Sequence, residues 1–367
     1  MICPKGKGFT AAYESIDGIE VYRHRMWEAA SKYGYFLEYL AALFFEFLLA
    51  IKVFFRSRYS ILQACNPPDT IFLIGLLMRP LGVRFIFDQH DPSPELFEAK
   101  FGNAGHLLHK LTRFFERCSF RLATVCIVTN ESFRDIAITR GGKRAEDVFL
   151  VRNCPDLSAF GKSETRAGEK RGKEGLVVAY VGFMGTQDGV DLLLDSIEDI
   201  VKRQNRRDTH FLLIGGGTIL PSLIAAAQEK GIKDFVTFTG QVAHDEVVRY
   251  LAGADIGVSP DPKNSLNDIL TMVKLFEYMA SGLPMVLFDM KEGRRSAGAA
   301  ALYAVPNDPV DFANQIATLL DSEPLRRQLG ECGLGMVRDG LNWENEKQSL
   351  LNAYEAALSP ACAVTTQ

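Results

Sequence analysis

Lys274 and Glu277, in the stretch NDILTMVKLFEYMASGLPMV (267–286), have residue types and a spacing that suit a ligand site. A spacing of three places both side chains on one face of a helix, beside a separate apolar face. Asn267 and Asp268 are residue types that cap the start of a helix. A solvent-facing Lys–Glu pair on an ordinary helix gives the same pattern, so periodicity alone leaves both interpretations open.

The start of this helix is suited to an anion. The helix follows an apolar strand, IGVSP (256–260), so its first turn should lie at the carboxyl edge of a parallel sheet. Free backbone N–H groups and the positive end of the helix dipole attract negative charge there. Lys274 would add a full positive charge suited to a diphosphate. Glu277, one turn further, would accept hydrogen bonds from ribose or sugar hydroxyls.

Short apolar segments alternate with amphipathic helical segments along both halves of the chain. In the first half the predicted strands are GIEVYRH, SILQAC, RFIFDQH, TVCIVT and VFLVRN. In the second half they are LVVAYVG, HFLLIGG, FVTFTG, IGVSP, PMVLFD and ALYAV. Such alternation predicts an α/β protein with two doubly wound parallel sheets.

A charged, glycine-containing stretch, FGKSETRAGEKRGKEG, separates the two halves and has no hydrophobic period. We predict a linker at 160–175, between an N-terminal domain at 1–159 and a C-terminal domain at 176–340. The remaining segment, 341–367, should begin with a helix that packs back on one of the two domains. The opening MICP is similar to the end of a second strand. We therefore expect the first domain to lack an initial strand–loop–helix unit of about 30 residues.

The composition bounds the classes of function. Hydrophobic residues make up 47% of the chain and charged residues 23%, as in ordinary globular proteins. The net charge of −4 argues against nucleic acid as a partner. Seven scattered cysteines without a CxxC pair argue for a reducing compartment and against a disulfide scaffold or a zinc site. With no signal-peptide pattern at the start, we expect a cytoplasmic protein.

One segment raises the question of a membrane. The run at 33–55 is very apolar, but Glu38, Glu46 and Lys52 interrupt it, which does not suit a spanning helix. Basic residues follow this run and recur on a second predicted helix, at Lys110, Arg113, Arg117 and Arg121. Two interpretations stay open: a core helix with solvated basic ends, or an apolar and basic surface in peripheral contact with the inner face of the cell membrane.

Three joined segments resemble one known donor site. They are ADIGVSPDP…NDILTMVKLFEYMASGLPMV, FTGQVAHDEVVRYLAGADIGV (238–258) and FDMKEGRRSAGAAALYAVPNDP (288–309), and they resemble glycosyltransferase family 4. The resemblance implies a GT-B fold, with two Rossmann-like domains facing a cleft. It also implies a retaining transfer from a nucleotide diphosphate sugar, of the UDP type, to a saccharide or lipid-linked saccharide acceptor. The branch that assembles bacterial cell-surface polysaccharides is the most similar.

The resemblance implies roles for the residues around the donor. Glu277 would contact the ribose, and backbone amides around Thr271 and Met272 would hold the phosphates. The glycine loop in LLIGGGTIL would approach the donor closely, and Val242 in TGQV would meet the base. The donor-binding residues implied are Gly182, Gly185, Gly216, Val242, Asp268, Thr271, Met272 and Arg294. The fold type implies no metal or other cofactor.

A polar loop follows one strand of the first half, in VRFIFDQHDPSPELFEAKF (83–101), and contains His90. Ligands of open α/β sheets bind outside such strand ends. The resemblance implies that a histidine in this loop lies beside the transferred sugar. A loop histidine held by Asp88 or Asp91 is the plain structural alternative. The catalytic set implied is His90, Lys274 and Glu277.

The sequence departs from the family pattern at the donor site. Ile269 stands where a glutamate is expected, and Phe183 and Asp188 stand where the family carries basic residues in its glycine loop. An aspartate facing a diphosphate would repel it, so we predict that Lys274 and Arg294 supply the compensating charge. Two other functions therefore stay open: a GT-B sugar-nucleotide epimerase, and a non-catalytic homologue that only binds nucleotide.

Overall fold

The computed structural model of the chain describes residues 1–6, 8–25, 32–101, 106–160 and 175–359. The chain divides into two compact units, a first unit of Met1–Val151 with Ser349–Gln367 and a second unit of Arg152–Gln348. The predicted linker, 160–175, lies almost entirely outside the described residues. The predicted domain boundaries therefore stay a prediction.

The first unit begins with short strands and a long helix, and then alternates strands with helices. Its elements are β1 (Ile2–Pro4), β2 (Tyr13–Ile16), β3 (Ile19–His24), α1 (Lys32–Ser57), β4 (Ile61–Cys65), α2 (Phe72–Met78), β5 (Arg84–Gln89), α3 (Ser93–Phe101), α4 (His106–Leu122), β6 (Val125–Val128), α5 (Glu131–Thr139) and β7 (Val148–Leu150). β4 to β7 form a parallel sheet in the order β4-β5-β6-β7. The four predicted strands from SILQAC to VFLVRN are thereby confirmed.

One predicted strand of the first half does not join that sheet. GIEVYRH contains β3, which lies in a separate three-stranded sheet in the order β1-β3-β2. β2 and β3 pair antiparallel around a tight turn in which Asp17 and Gly18 both have positive φ. An Asp-Gly pair between two strand segments is a strong signal for such a hairpin. The expectation of purely parallel strands is therefore wrong at this point.

The second unit alternates strands and helices throughout. Its elements are α6 (Leu157–Phe160), β8 (Leu176–Val181), α7 (Val190–Glu198), a π-helical turn (Asp199–Arg203), β9 (Thr209–Ile214), α8 (Leu220–Glu229), β10 (Val236–Phe238), α9 (His244–Ala252), β11 (Ile256–Ser259), α10 (Val273–Ala280), β12 (Met285–Phe288), α11 (Lys291–Ala297), β13 (Ala301–Ala304), α12 (Pro309–Asp321) and α13 (Glu323–Asp339). A last helix, α14 (Trp343–Leu358), begins in the second unit and ends in the first. The six strands predicted for this half are confirmed.

The strand order of the second unit locates a ligand site. Its six strands are parallel, in the order β10-β9-β8-β11-β12-β13. The chain therefore runs outward from β8 to β10 and then returns to the other side of β8 to form β11. Ligands of such sheets bind at this switch point, outside the carboxyl ends of the two strands where the order reverses. In this unit those strands are β8 and β11.

Tyr278 fixes α10 against the switch point. Its ring is fully buried, and its hydroxyl accepts a hydrogen bond from Val181 N (3.0 Å) and donates one to the Val258 carbonyl (2.9 Å). The hydroxyl thus joins β8, β11 and α10 in one contact. A side chain in place of Gly257 would lie 2.6 Å from the same ring. The start of α10 is therefore held at the carboxyl edge of the sheet by packing.

The end of α14 packs within the first unit. Ala353 and Ala357 are fully buried against Ile86 and Val125 of the parallel sheet. Ser349 Oγ donates to the Leu150 carbonyl at 2.6 Å. Small side chains along one face let the helix approach the sheet closely. This contact places residues near the end of the sequence next to strands from its first half.

The long helix α1 contains the whole of the apolar run at 33–55. Within the described ranges of the chain, no helix combines the length and the apolar composition that crossing a bilayer requires.

Candidate active site

The loop after β8 and the start of α10 meet at the switch point. Lys274 Nζ lies 4.8 Å from the centre of the Tyr180 ring at the end of β8. A side chain in place of Gly182 would lie 3.5 Å from Lys274 Cε and 2.9 Å from the Tyr180 hydroxyl. A cation over an aromatic face is attracted by the ring. The structure thus brings together two residues of the predicted donor site, Gly182 and Lys274.

Lys274 is not a free cation. Its Nζ donates to both carboxylate oxygens of Asp261, at 2.9 and 2.8 Å. Both side chains are largely buried, with 10% of Lys274 and 2% of Asp261 exposed. Ser259 Oγ also donates to Asp261. The sequence predicts that Lys274 supplies compensating charge for a diphosphate. In the structure Asp261 offsets that charge, so this role of Lys274 stays a prediction.

Asp188 adds a second carboxylate near this ion pair. Its Oδ2 accepts a hydrogen bond from Gly185 N at 2.8 Å, which closes the loop after β8 on itself. Burial raises the pKa of Asp188, and Lys274 opposes that rise. Asp188 and Asp261 together offset the single positive charge of Lys274. Stabilisation of a bound diphosphate at this place therefore depends on backbone N–H groups more than on side-chain charge.

Glu277 lies one turn further along α10 and is half-buried. Its carboxylate accepts no hydrogen bond and forms no ion pair with any residue in the described part of the chain. Burial raises its pKa, while His244 and Lys274 oppose the rise. A half-buried carboxylate without donors has a strong demand for hydrogen bonds. A ribose diol would satisfy that demand with two O–H donors.

Two glycine loops pack directly on each other beside this site. A side chain in place of Gly215, whose φ is +133°, would lie 2.0 Å from the Gly182 carbonyl oxygen. Gly217 has the same relation to the Met184 carbonyl oxygen, at 2.2 Å. A side chain in place of Gly216 would lie 3.3 Å from Gln241 Cβ, and the Gly216 carbonyl accepts a hydrogen bond from Met184 N. The predicted donor residues Gly182 and Gly216 thus lie in one closely packed backbone layer.

The segment between β11 and α10 differs from the prediction at its caps. Asn267 and Asp268 belong to a separate short 3-10 turn, and the residue that precedes α10 is Met272. Within the described residues no side chain caps α10. Leu275 N donates to the Met272 carbonyl, so the N–H groups of Val273 and Lys274 are the ones left for a ligand. Thr271 Oγ1 lies 3.5 Å from Ser296 Oγ. The prediction that Asn267 or Asp268 caps the helix is wrong.

The other predicted donor residues have partners of their own. Asp268 accepts from Lys291 N at the start of α11 (2.9 Å). Arg294 donates through Nη2 to Asp289 Oδ2 (2.8 Å), and its guanidinium lies 4.2 Å from the centre of the Tyr303 ring. Arg294 is therefore an exposed cation whose charge Asp289 offsets, and its role toward a diphosphate stays a prediction.

Val242 follows a backbone turn at the end of β10. Gly240 has a φ of +69° and bridges to Gly215, while Gly215 N donates to Thr239 Oγ1 at 3.2 Å. Val242 packs partly buried against the core beside α10. His244, which the sequence assigned no role, acts electrostatically on Glu277. The turn is thus followed by the predicted base contact, Val242, and by a histidine that acts on Glu277.

His90 lies in the first unit, at the carboxyl end of β5. Its backbone N–H donates to Asn66 Oδ1 at 2.8 Å. Asn66 Nδ2 in turn donates to the Asp91 carbonyl (2.6 Å) and to Asp69 Oδ1 (2.7 Å). One buried asparagine at the end of β4 therefore fixes the loop that carries His90. Sequence reasoning assigned no role to Asn66.

The imidazole of His90 belongs to a cluster with Asp88 and Cys65. His90 Nε2 lies 3.4 Å from Asp88 Oδ1, and Cys65 Sγ lies 3.6 Å from Asp88 Oδ2. Hydrogen bonding to Asp88, and then to Cys65, raises the pKa of His90 to about 10. The ring is therefore an imidazolium at neutral pH and acts as a hydrogen-bond donor. The contact between His90 and Asp88 is the one expected in the plain structural alternative, a loop histidine held by Asp88.

The Cys65, Asp88 and His90 side chains each offer a metal-ligand atom, all within 4.8 Å of one another. The sequence shows no metal-ligand spacing, and the cluster arises because β4 and β5 end side by side, with Cys65 paired to Asp88 in register. Soft and hard donors mixed in this way suit zinc. The three groups already bond to each other through Asp88, and the expectation of no metal stays an expectation.

Two further side chains, Gln63 and Tyr354, hold Asp88 in place through hydrogen bonds. Gln63 Nε2 donates to Asp88 Oδ2 at 2.7 Å. Gln63 Oε1 accepts a hydrogen bond from the hydroxyl of Tyr354 on α14. The order of contacts is therefore Tyr354, Gln63, Asp88 and His90, from the end of the chain to the loop after β5. No pattern in the sequence signals the contribution of Tyr354.

Comparison with known proteins agrees with the arrangement of the second unit. Residues 175–322 match the family model described as glycosyl transferases group 1. The alpha-D-kanosaminyltransferase of Streptomyces kanamyceticus is 24% identical over 263 residues, 70% of this chain and 66% of that protein. The mannosylfructose-phosphate synthase of Agrobacterium fabrum is 26% identical over 274 residues, 71% of this chain and 58% of that protein. The chain thus spans about half to two thirds of the length of these curated relatives.

Solved structures share the fold at low identity. The sucrose-phosphate synthase tll1590 of Thermosynechococcus elongatus superposes with a TM-score of 0.77 at 17% identity, over 97% of this chain and 88% of that chain. Anabaena Alr3699/HepE, in complex with UDP, gives a TM-score of 0.68 at 15% identity, over 92% and 87%. The predicted GT-B type of α/β fold, with Rossmann-like units, is confirmed. The match to the glycosyl transferases group 1 family model lies within the second unit of this fold.

Proposed function

We propose that the protein is a retaining glycosyltransferase that moves a sugar from a UDP-sugar to a saccharide or lipid-linked saccharide. The observation that carries the proposal is Glu277, a half-buried carboxylate without a hydrogen-bond donor, one turn inside α10 at the switch point. The UDP type of donor is supported by the Anabaena neighbour, which is in complex with UDP and with UDP-glucose. Cell-surface polysaccharide synthesis is supported only by the resemblance of the donor segments.

In the proposed reaction the second unit holds the leaving diphosphate. The uncapped N–H groups at the start of α10 donate to its oxygens, and the helix dipole stabilises the charge that develops there. Glu277 accepts hydrogen bonds from the ribose. The glycine loops allow the backbone to approach the donor closely. The Lys274–Asp261 pair orients the loop after β11 and adds little net charge.

His90 is proposed to act on the sugar. Its imidazolium, held by Asp88 and Asn66, donates a hydrogen bond rather than accepting a proton at neutral pH. A fixed donor of this kind orients the sugar by hydrogen bonding to one of its hydroxyl oxygens. The proposed chemistry uses no metal.

The experiment is UDP binding, measured by calorimetry on the full chain and on E277Q. Hydrogen bonds to a charged group contribute about 1.5–3 kcal/mol, so we expect E277Q to bind UDP about tenfold more weakly or worse. E331Q is the matched control, since Glu331 is exposed on α13. UDP binding that is unchanged in E277Q would overturn the assignment of the donor site.

A second candidate is a homologue that binds nucleotide without transfer. One observation favours it: Asp261 offsets the charge of Lys274, and Asp188 adds a further carboxylate. Incubation with UDP-sugars separates the two functions. Release of UDP in the presence of acceptor, with the anomeric configuration of the donor kept in the product, supports the transferase. UDP binding that depends on Glu277 without any turnover supports the second candidate.

A further inference from the structure

The helix α4 presents an apolar face away from the body of the first unit. Its inward face is anchored, because Phe120 packs at 5.2 Å on Phe87 of β5 and Ser119 Oγ donates to the Asp69 carbonyl. Leu107, Leu111 and Phe114 lie at i, i+4 and i+7 on the opposite side and are 79%, 42% and 58% exposed. Three large apolar side chains in one row on an outward face are unusual for a surface that meets only water.

A row of cations lies beside this apolar row. It consists of Lys110, Arg113, Arg117 and Arg121. All four side chains are exposed, and none forms an ion pair with a residue in the described ranges. The chain as a whole has a net charge of −4, so this concentration of positive charge is local. An apolar row with a basic row at its side is the pattern of a helix that lies in a membrane interface.

The neighbouring helices extend the apolar surface. α2 packs against both α1 and α4. On α2, Leu73, Leu76 and Leu77 are exposed at i, i+3 and i+4. On α1, Leu40, Phe44 and Leu48 are exposed at i, i+4 and i+8. Exposed apolar rows thus occur on three adjoining helices, and Lys52 adds a cation to the last turns of α1.

The charge and the extent of the surface identify its occupant. A second copy of the chain would bring the same cations, and like charges across an interface repel. An anionic bilayer offers phosphate groups to the basic row and acyl chains to the apolar rows, over an area larger than one helix.

We propose that α1, α2 and α4 form a docking surface for an anionic phospholipid bilayer, with α4 as its main contact. Leu107, Leu111 and Phe114 insert among the acyl chains, while the four cations bind lipid phosphates. The inference does not depend on the proposed function, since it uses no residue of the donor site or of the His90 cluster.

The test is flotation of the full chain with vesicles of phosphatidylcholine, with and without phosphatidylglycerol. We expect binding to the vesicles that contain phosphatidylglycerol, weakened by high salt. Neutralising the basic row should weaken this binding about a hundredfold or more, since the row has four cations and each contributes roughly fivefold at an anionic surface. The variant is K110Q/R113Q/R117Q/R121Q. L111S/F114S should weaken binding as well, by removing the apolar insertion.

A matched control carries the same change of net charge on the second unit. It is R207Q/K233Q/R249Q/R327Q, in which all four side chains are exposed. It should bind vesicles as the unaltered chain does. UDP binding and circular dichroism, unchanged in every variant, show that folding is retained.

Absence of binding to both kinds of vesicle would overturn the proposal. So would equal loss in the control, which would mean that net charge alone acts. Self-association of the chain that L111S/F114S abolishes, without vesicle binding, would assign the surface to a second copy and also overturn it.

Discussion

His90 in the first unit is held by side chains from distant parts of the sequence, whereas Glu277 in the second unit has no hydrogen-bond partner among the described residues. Around His90, Asn66 fixes the backbone and Asp88 fixes the ring. The candidate donor site that contains Glu277 consists largely of backbone groups. They belong to the glycine loops and to the start of α10, which has no side-chain cap. The His90 ring and its backbone N–H thus have partners within the protein, whereas the Glu277 carboxylate has none among the described residues.

This difference indicates how each site would work. A paired network sets the protonation state and direction of one side chain before any ligand arrives. An open site leaves its polar groups for the ligand, which then supplies the missing hydrogen bonds. The cost is a half-buried carboxylate without donors in the free protein. Substitutions should therefore affect the chemistry of His90 in the first site, and stability or nucleotide binding in the second.

The largest expected effect is that of D261N. It leaves the buried ammonium of Lys274 without its carboxylate, and breaking a buried ion pair from one side costs about 3 kcal/mol. We expect a loss of this size in the free energy of urea unfolding. D261N/K274M should recover part of that loss, because no unpaired charge remains. Equal stability of D261N and the unaltered chain would mean that the second site does not depend on this pair.

The next effect is that of G215A. An added Cβ would lie 2.0 Å from the Gly182 carbonyl oxygen, at a φ of +133° that L-residues rarely adopt. The two glycine loops must then separate, and we expect roughly 1–3 kcal/mol of destabilisation together with weaker UDP binding. G335A is the control, since outside its chain neighbours and its own helix backbone no atom of the described residues lies within 4 Å of the position of its Cβ. If G215A behaved as G335A does, the close backbone layer would be disproved.

D88N tests the first site through the pKa of His90. Without the Asp88 carboxylate the pKa should fall from about 10 toward the ordinary 6.5, as read from the titration of the His90 ring by NMR. The raised pKa of His90 also determines how the free energy of unfolding depends on pH. A pKa raised by folding stabilises the protein fully below about pH 6.5, and that stabilisation is lost as the pH rises toward 10.

The gap in stability between the unaltered chain and D88N should accordingly narrow as the pH rises from neutral toward 10. H90Q identifies the ring signal and should remove most of this pH dependence. A His90 pKa near 6.5 in the unaltered chain would contradict the view that the first site is preset.

The fold and the place of Lys274 and Glu277 at the start of α10 could be predicted from the sequence, because both depend on local patterns. Alternating apolar segments gave the strands, and the helix after IGVSP gave the position of Lys274 and Glu277. The pairing of Lys274 with Asp261 could not be predicted, because Asp261 lies in a loop and no periodicity relates the two residues. The hairpin at Asp17-Gly18 has a local signal as well, the Asp-Gly pair, which the alternation of strands and helices does not include.

The His90 cluster was only partly within reach of the sequence. β4 and β5 are consecutive strands, and parallel neighbours end at the same edge, so proximity of Cys65 and Asp88 follows from the strand assignment. Tyr354 is different, because α14 follows the whole second unit in the chain. A contact between positions 63 and 354 depends on tertiary packing alone.

Y354F should give the smallest effect. It tests whether the hydrogen-bond network that fixes His90 extends through Gln63 to Tyr354 on α14. It removes the hydroxyl that donates to Gln63, and one hydrogen bond contributes about 1 kcal/mol. Gln63 then loses one of its two fixed contacts, so its bond to Asp88 should loosen and the His90 pKa should fall slightly. Y59F removes a comparable hydroxyl in the same unit, one that donates to the Ala50 carbonyl at 3.1 Å. It should cost similar stability and leave the His90 titration unchanged. If Y59F and Y354F shift that titration equally, α14 supports the fold but not the chemistry of His90, and the preset site ends at Gln63.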